Sequence, residues 1–151
     1  MVRDLVALYD PSARRMAYVI QLGENVCGYP RVAHGGLTAA IVDEAMGHLF
    51  YALRVHGDLP FIGPAFTAHL EVDYHRKISA GRLLLVTAEV ESVVGRKLRM
   101  RATVTDGPPG GPDTRLYASA SALFVAPKPA RLVKEVVRYV VALVVPGARF
   151  D

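Results

Sequence analysis

One long apolar segment, residues 34–54, constrains the fold of this chain more than any other stretch. Its apolar side chains recur at the three- and four-residue spacing of a helix face, and further apolar residues occupy the other faces. A helix that is apolar nearly all round is buried rather than laid on a surface. The sequence therefore predicts a buried central helix over about 35–54, around which the rest of the chain packs.

Two adjacent carboxylates, Asp43 and Glu44, lie in the middle of this otherwise apolar segment. An unpaired buried carboxylate is costly, so at least one of them is expected to face a partner, water or a substrate. Successive helix residues point about 100° apart, so the two cannot face one substrate together. The alternative is a helix that borders solvent, with both carboxylates hydrated.

The predicted helix opens with His34, Gly35 and Gly36. A helix N-terminus exposes unpaired N–H groups and the positive end of the helix dipole. Glycine also lets a ligand approach the backbone closely. Such a turn can hold a carbonyl oxygen, and a carboxylate two turns later can attack the carbonyl carbon. The pattern is typical of a site for acyl transfer, which needs no metal.

The flanking sequence carries β-strand patterns. Residues 16–22 predict a first strand, and residues 1–15 a short helix or an arm. After the central helix, four antiparallel strands in hairpin succession are expected over 66–75, 82–94, 98–105 and 114–126. Residues 130–145 predict a C-terminal helix. We expect one α+β domain over 1–151, with its core at about 16–126.

Composition limits the partners and the compartment. The 151 residues include 18 Lys and Arg and 14 Asp and Glu, a net charge of +4. This mild excess suits an anionic small molecule and is too weak to argue for nucleic acid. Cys27 is the single cysteine, which excludes an internal disulfide and favours a reducing compartment. No apolar run reaches the ~20 residues of a membrane span. We expect a cytoplasmic protein, or a mitochondrial one if a transit segment has been removed.

Three stretches in this order resemble the hotdog-fold acyl-CoA thioesterases, in particular the phenylacetate-degradation type and related eukaryotic mitochondrial enzymes. They are GYPRVAHGGLTAAIVDEAMG at 28–47, TAHLEVDYHRKI at 67–78 and VVGRKLRMRATV at 93–104. With the strand order, the resemblance covers about residues 16–126. It implies an antiparallel sheet wrapped around the long helix, and assembly into a homodimer or a tetramer with active sites at the dimer interface.

The resemblance also implies roles for individual residues. The backbone of Gly35 and Gly36 would polarise the thioester carbonyl as an oxyanion hole, with His34 shaping the turn. Asp43 of the partner subunit would act as nucleophile or as general base for water, and Thr67 would hold the water or the carboxylate. The basic residues at positions where the family meets the phosphates of coenzyme A are Arg76, Lys77, Arg96 and Lys97. The substrate would be an acyl-CoA of lipid metabolism, and no separate cofactor or metal is implied.

The sequence departs from the family pattern at Gly28, where some branches carry an asparagine six residues before the histidine. The oxyanion contacts are therefore expected to come from backbone N–H groups. Two other interpretations stay open. One is a hotdog module that binds acyl-CoA without hydrolysing it. The other is an enoyl-CoA hydratase, because the spacing of Asp43 and His48 resembles the Asp/His pair of hotdog hydratases.

The remaining candidate groups have plainer explanations. A period of two places His69 and His75 on the same strand face as Thr67, and this spacing alone does not make a metal site. Cys27 lacks a clear neighbouring base, so a structural role is expected rather than a nucleophile. Arg99 and Arg101, on the strand that follows Arg96, are expected to face solvent.

Overall fold

The computed structural model describes residues 2–61, 63–128, 130–131 and 133–134. In this part of the chain, a long helix, α1 (Gly35–His56), packs against an antiparallel sheet. The strands are β1 (Val2–Asp10), β2 (Arg15–Leu22), β3 (Cys27–Tyr29), β4 (Val32–Ala33), β5 (Phe66–Tyr74), β6 (Leu83–Val94), β7 (Lys97–Thr105) and β8 (Leu116–Val125). A short 3₁₀ helix, Glu24–Val26, precedes β3. The predicted α+β class and the central helix are confirmed.

The main sheet has six strands in the order β1-β2-β6-β7-β8-β5, and β3 pairs with β4 separately. β6, β7 and β8 follow one another as antiparallel hairpins, as predicted. The predicted hairpin between β5 and β6 is wrong, because β5 pairs with β8 at the far edge of the sheet. Residues 75–82 carry the chain from that edge to β6. Among the residues that the structure describes, β5 is therefore an edge strand, and one row of its backbone hydrogen-bonding groups pairs with no other strand.

The core lies between α1 and the sheet. Val42, Met46, Leu49 and Leu53 on α1 are fully buried, and they repeat at the spacing of one helix face. They belong to one cluster with buried strand residues such as Leu98 on β7. Burying each such side chain stabilises the fold by about 1.5–3 kcal/mol, so this stripe holds α1 on the sheet.

The opposite face of α1 is open, which corrects the prediction of a helix buried nearly all round. The exposed residues repeat at the same helical spacing and include Ala40, Glu44, His48, Tyr51 and Val55. Within one chain, the sheet covers only one side of the helix. Sequence periodicity detects apolar side chains on every face and does not tell which of them a sheet covers.

α1 ends at a glycine in the left-handed conformation. Gly57 has a φ of 76°, which glycine adopts without a steric cost. Its N–H donates to the carbonyl oxygen of Arg54 at 3.2 Å, and the N–H of Asp58 donates to that of Leu53 at 2.9 Å. These bonds satisfy carbonyl groups that the last helical turn leaves unpaired. Gly57 thus ends the helix.

The prediction of a helix or an arm over residues 1–15 is wrong, because β1 occupies most of this stretch and pairs with β2. Pro11 and Ser12 lie in the turn between these two strands. The Asp10 carboxylate accepts hydrogen bonds from Ser12 N at 2.9 Å and from Ala13 N at 3.1 Å. An aspartate in this position favours a turn because it bonds the backbone that follows it.

The C-terminal helix predicted over 130–145 lies mostly outside the described residues. Positions 130, 131, 133 and 134 are helical. Among the helices that are described, none combines the length and the apolar character needed to cross a bilayer.

Candidate active site

Asp43 and Thr67 meet between the middle of α1 and the start of β5. The Thr67 hydroxyl donates a hydrogen bond to Asp43 Oδ1 at 3.0 Å. Asp43 is half-buried and Thr67 is exposed, so solvent reaches this pair in the single chain. The bond holds one of the two carboxylate oxygens. We call Asp43 and Thr67 the acid end of β5.

A β-bulge in β5 aims Thr67 at the helix. Thr67 pairs with Phe124 and His69 pairs with Leu123, so two steps along β5 match one step along β8. Ala68 is the additional residue, and it reverses the side-chain alternation. Directly paired residues share a face of the sheet, and Phe124 is buried in the core. Thr67 therefore faces α1, whereas His69 faces outward.

The bulge corrects the sequence prediction, which places Thr67 on the outer face with His69 and His75. Beyond the bulge, Leu70 and Val72 pair with buried alanines of β8 and face the helix as well. A strict period of two cannot detect an inserted residue, because Ala68 itself carries no signal.

The His34–Gly36 turn forms the start of α1. His34 is the N-cap, with φ −65° and ψ 132°, and its Nδ1 accepts a hydrogen bond from Gly36 N–H at 2.9 Å. The His34 carbonyl oxygen accepts bonds from Leu37 N and Thr38 N. Because Gly36 N–H is already bonded, the predicted pair of backbone donors is reduced to Gly35 N–H. The ring of His34 thus caps the helix.

Gly28 packs directly against the His34 ring. A Cβ built on Gly28 would lie 2.6 Å from His34 Cδ2, a distance that real Cβ atoms essentially never show. An asparagine at this position would therefore displace the ring from its capping bond. This contact gives a physical reason for glycine here, and it leaves Gly35 N–H as the donor that the turn offers.

Tyr74, at the last position of β5, contacts the same turn. Its hydroxyl donates to the Gly35 carbonyl oxygen at 2.9 Å. Alternation along β5 predicts a core residue at Tyr74 and gives no sign of this contact, whereas half of its surface is exposed (54%). We call Gly35 and Tyr74 the donor end of β5.

The two ends are far apart within one chain. Gly35 and Asp43 both lie on α1, and the eight residue steps from one to the other correspond to about 12 Å along the helix axis. A reacting carbonyl has to lie within about 3–3.5 Å of the attacking group and of the hydrogen-bond donor. One chain therefore cannot apply Gly35 N–H and its own Asp43 to the same carbonyl.

The four predicted phosphate-binding residues divide between the two ends. Arg76 and Lys77 line a depression of about 290 Å³ that also includes Gly35 and Tyr74. Arg96 lies beside Phe66 at the acid end, where its Nη1 donates to the Ala126 carbonyl oxygen. Lys97 lies in the same region, because it and Phe66 pair with the same residue of β8.

Glu44 and His48 form a separate cluster with Tyr18 on the exposed side of α1. The Tyr18 hydroxyl lies 2.6 Å from His48 Nδ1, and His48 Nε2 lies 3.2 Å from Glu44 Oε1. Burial raises the pKa of Tyr18 to about 12, with a further contribution from the Glu44 charge. His48 thus contacts Tyr18 and Glu44, and the two helix carboxylates face different surroundings, as the 100° rule predicts.

Two other candidate groups, His75 and Cys27, have partners of their own, and His75 also lines the depression at the donor end. His75 Nε2 lies 2.7 Å from Ser119 Oγ, and the Cys27 thiol is exposed and contacts the Glu24 carbonyl oxygen at 3.2 Å. Among the residues that the structure describes, no group of three or more His, Cys, Asp or Glu side chains is arranged to hold a metal ion.

Comparison with known proteins identifies relatives of this fold and sequence. An acyl-coenzyme A thioesterase of Xenopus laevis, THEM4, is 30% identical over 117 residues, which are 78% of this chain and 47% of that protein. The chain thus spans about half the length of the curated relatives that it matches.

Two solved structures share the fold. A thioesterase of Ralstonia eutropha, described as related to phenylacetic acid degradation, superposes with a TM-score of 0.64 at 20% identity, covering 81% of this chain and 84% of the other. A Streptococcus mutans protein bound to acetyl CoA superposes with a TM-score of 0.65 at 14% identity, covering 82% and 88%. At these identities the superpositions show the fold alone.

The family model of the thioesterase superfamily matches residues 31–112. This range is more than half of the chain, and it contains the His34–Gly36 turn, Asp43 and Thr67. The protein therefore belongs to the thioesterase superfamily and has the hotdog fold.

Proposed function

We propose that the protein hydrolyses an acyl-CoA thioester to the free acid and coenzyme A, at a site that two chains build together. Gly35 N–H of one chain polarises the thioester carbonyl. Asp43 of the other chain acts as nucleophile or as general base for water, and Thr67 holds its carboxylate. In the general-base form, a water oxygen bonds to the acyl carbon while Asp43 takes the proton. The C–S bond then breaks, and the thiolate leaves and is protonated.

The observation that carries this proposal is the distance between the acid end and the donor end within one chain. Neither end is complete. The acid end has a carboxylate but no helix N-terminus, and the donor end has an N–H at a helix N-terminus but no carboxylate among the described residues that line it. Acyl transfer needs both at one carbonyl carbon. Two chains supply both if the acid end of each meets the donor end of the other.

The position of β5 supports this pairing. It is an edge strand of nine residues, and such an edge is a template for pairing with another chain. Phe66 and Tyr74, at its two ends, are 61% and 54% exposed. A two-fold axis across β5 would pair the strand with its copy in antiparallel orientation and bring opposite ends together. Two identical sites per dimer follow, and a tetramer would be a pair of such dimers.

The setting proposed for this activity is a reducing compartment, in the cytoplasm or in a mitochondrion. The substrate class is acyl-CoA because the THEM4 relative is named an acyl-coenzyme A thioesterase and the mild positive charge suits a phosphorylated thioester. No separate cofactor or metal takes part in the proposed step.

One alternative is a module that binds acyl-CoA without hydrolysing it. The contact between Gly28 and the His34 ring favours it, because this turn offers a single backbone donor and no side-chain amide. Removal of one oxyanion-hole donor typically costs about 10²–10³ in kcat, so a site with one donor would be slow. The hydratase alternative is weaker, since His48 is engaged with Tyr18 and Glu44.

Mixed dimers test the two-chain site directly. Asp43→Asn inactivates the acid end, and Gly35→Pro removes the donor N–H. Proline is tolerated at the first position of a helix, and His34 already has the extended conformation that a residue before proline prefers. Gly35→Ala is the matched control, because it keeps the N–H and its Cβ would meet Tyr74 at an ordinary 3.6 Å.

Each variant alone is expected to lose thiol release from acyl-CoA. Mixed at equal amounts after dissociation and reassociation, they should recover about a quarter of wild-type turnover, because half of the dimers are mixed and each has one intact site of two. No recovery, with mixed dimers demonstrated by mass, would contradict the two-chain site. Absence of turnover in the wild type with every acyl-CoA, but measurable coenzyme A binding, would favour the binding module.

A further inference from the structure

A second group of basic side chains lies beyond the donor end, at the same end of the sheet. A pocket of about 410 Å³ is lined by Arg76, Lys77, Ser79, Arg82, Arg115 and Tyr117. We call these six residues the basic pocket. Four of them are cations and none is a carboxylate. Arg82 and Arg115 have no role in the acyl-transfer site described above.

The Asp106 carboxylate bonds to three residues of the basic pocket, Arg82, Arg115 and Tyr117. Its Oδ2 accepts hydrogen bonds from Arg82 Nη1 at 3.1 Å and from the Tyr117 hydroxyl at 2.9 Å. Its Oδ1 accepts the backbone N–H of Arg115 at 2.8 Å, and this bond contributes most to a pKa of Asp106 below its usual range. Arg82 also donates to the Tyr117 hydroxyl at 2.7 Å and lies 5.5 Å from the centre of its ring. The Arg82 guanidinium is therefore fixed before a ligand arrives.

The basic pocket keeps a positive charge despite Asp106. In the described part of the chain, Arg82 is the one cation of the pocket with an ion pair within 4 Å, and the charge of Arg115 also interacts with the Asp106 carboxylate. One carboxylate thus faces four cations. Guanidinium groups match phosphate oxygens with paired donors, and charge-assisted bonds of this kind are stronger than neutral ones. The pocket thus has the chemistry of a site for a phosphorylated ligand.

The basic pocket continues into the donor end. Arg76 and Lys77 line both the pocket and the depression that includes Gly35 and Tyr74. The backbone N–H groups of His75 and Arg76 donate to the Tyr117 carbonyl oxygen at 2.8 and 3.1 Å, which fixes the segment between the two. A ligand with its carbonyl at Gly35 can therefore extend an arm along this segment and place phosphates in the basic pocket.

We infer that the basic pocket binds the phosphorylated nucleotide of coenzyme A, and that Arg82 and Arg115 set a preference for CoA thioesters over thioesters on a bare pantetheine arm. This inference rests on the proposed function. It distinguishes the two basic pairs that the sequence suggests. Arg76 and Lys77 adjoin the donor end and line the basic pocket, whereas Arg96 and Lys97 lie at the acid end. Arg96 already donates to the Ala126 carbonyl oxygen at the acid end.

Steady-state kinetics with three substrates that share one acyl group tests the inference: acyl-CoA, acyl-dephospho-CoA and acyl-pantetheine. Arg115→Ala is the main variant, because the backbone N–H that bonds Asp106 is retained. Arg99→Ala is the matched control, since Arg99 is exposed on β7 and does not line the pocket. Arg82→Gln is a second variant, and its melting temperature reports whether the Asp106 contacts still hold.

We expect the wild type to have a lower KM for acyl-CoA than for acyl-pantetheine. In Arg115→Ala this preference should fall about tenfold, as one charge-assisted phosphate contact is lost, with kcat for acyl-CoA retained. Added salt should weaken the preference of the wild type more than that of the variant. An equal rise of KM for all three substrates, or an equal effect of Arg99→Ala, would overturn the inference.

Calorimetric titration with coenzyme A separates this inference from the proposed function. Weaker binding to Arg115→Ala than to the wild type supports the basic pocket even if no thioester is hydrolysed. If acyl-CoA is hydrolysed and both proteins bind coenzyme A with the same affinity, the basic pocket does not bind the nucleotide. The proposed function would be unaffected by that result.

Discussion

The acid end and the donor end of β5 use the same kind of contact for different purposes. At each end a hydroxyl of the edge strand donates to α1, from Thr67 to the Asp43 carboxylate and from Tyr74 to the Gly35 carbonyl oxygen. The first bond holds a group that we propose reacts. The second holds a helix turn that presents an N–H. One edge strand thus positions both halves of the site that we propose.

The largest effect is expected from the carboxylate of the acid end. Asp43→Asn should bind acyl-CoA and lose about 10²–10⁴ in kcat if Asp43 is a general base. Glu44→Gln is the control one residue along, since Glu44 is exposed and contacts His48. A thiol-release assay measures both. If Asp43→Asn kept wild-type turnover, the acid end would have no catalytic role and the comparison of the two ends would fail.

A smaller effect is expected from the hydroxyl that holds this carboxylate. Thr67→Val keeps the shape of the side chain and removes its bond to Asp43, so kcat should fall about tenfold, as for a hydrogen bond to a charged group. Thr67→Ser keeps the hydroxyl and should stay within about twofold of the wild type. The ratio of kcat between the valine and serine variants is the measurement. Equal rates in the two variants would show that the hydroxyl does not act on Asp43.

The smallest effect is expected at the donor end. Tyr74→Phe removes a neutral hydrogen bond to Gly35, worth about 0.5–1.5 kcal/mol, so kcat should fall about threefold. KM for acyl-CoA should change little, because Tyr74 acts through the helix turn. Tyr74→Leu, compared with Tyr74→Phe, reports the contribution of the ring. If kcat fell more in Tyr74→Phe than in Thr67→Val, the hydroxyl of the donor end would contribute more to turnover than that of the acid end.

The sequence was sufficient for the parts of this protein that depend on neighbouring residues. The helix over Gly35–His56 follows from a three- and four-residue spacing and from the stop signal at Gly57. The hairpins of β6, β7 and β8 follow from alternation along the strands, from the short turn at Gly95 and from the Gly/Pro-rich loop after Thr105. Asp43 follows as a candidate site residue because an unpaired carboxylate on an apolar helix segment is costly. The resemblance to thioesterases added Thr67, whose face the sequence then assigned wrongly.

The features that were missed depend on contacts between distant residues. Whether β5 pairs with β6 or β8 depends on the path of residues 75–82, and this choice makes β5 an edge. The bulge at Ala68 exists only relative to β8, and it decides that Thr67 faces Asp43. Tyr74 and Gly35 are 39 residues apart in the chain. No local pattern reports such a contact.

Local periodicity therefore determined the elements and singled out one candidate carboxylate, because helix and strand spacings are encoded in consecutive side chains. Three-dimensional packing determined which edge is free, which face Thr67 takes and which cations gather beyond the donor end. Those outcomes come from long-range strand pairing and side-chain contacts, whose energies depend on the whole fold rather than on a window of sequence.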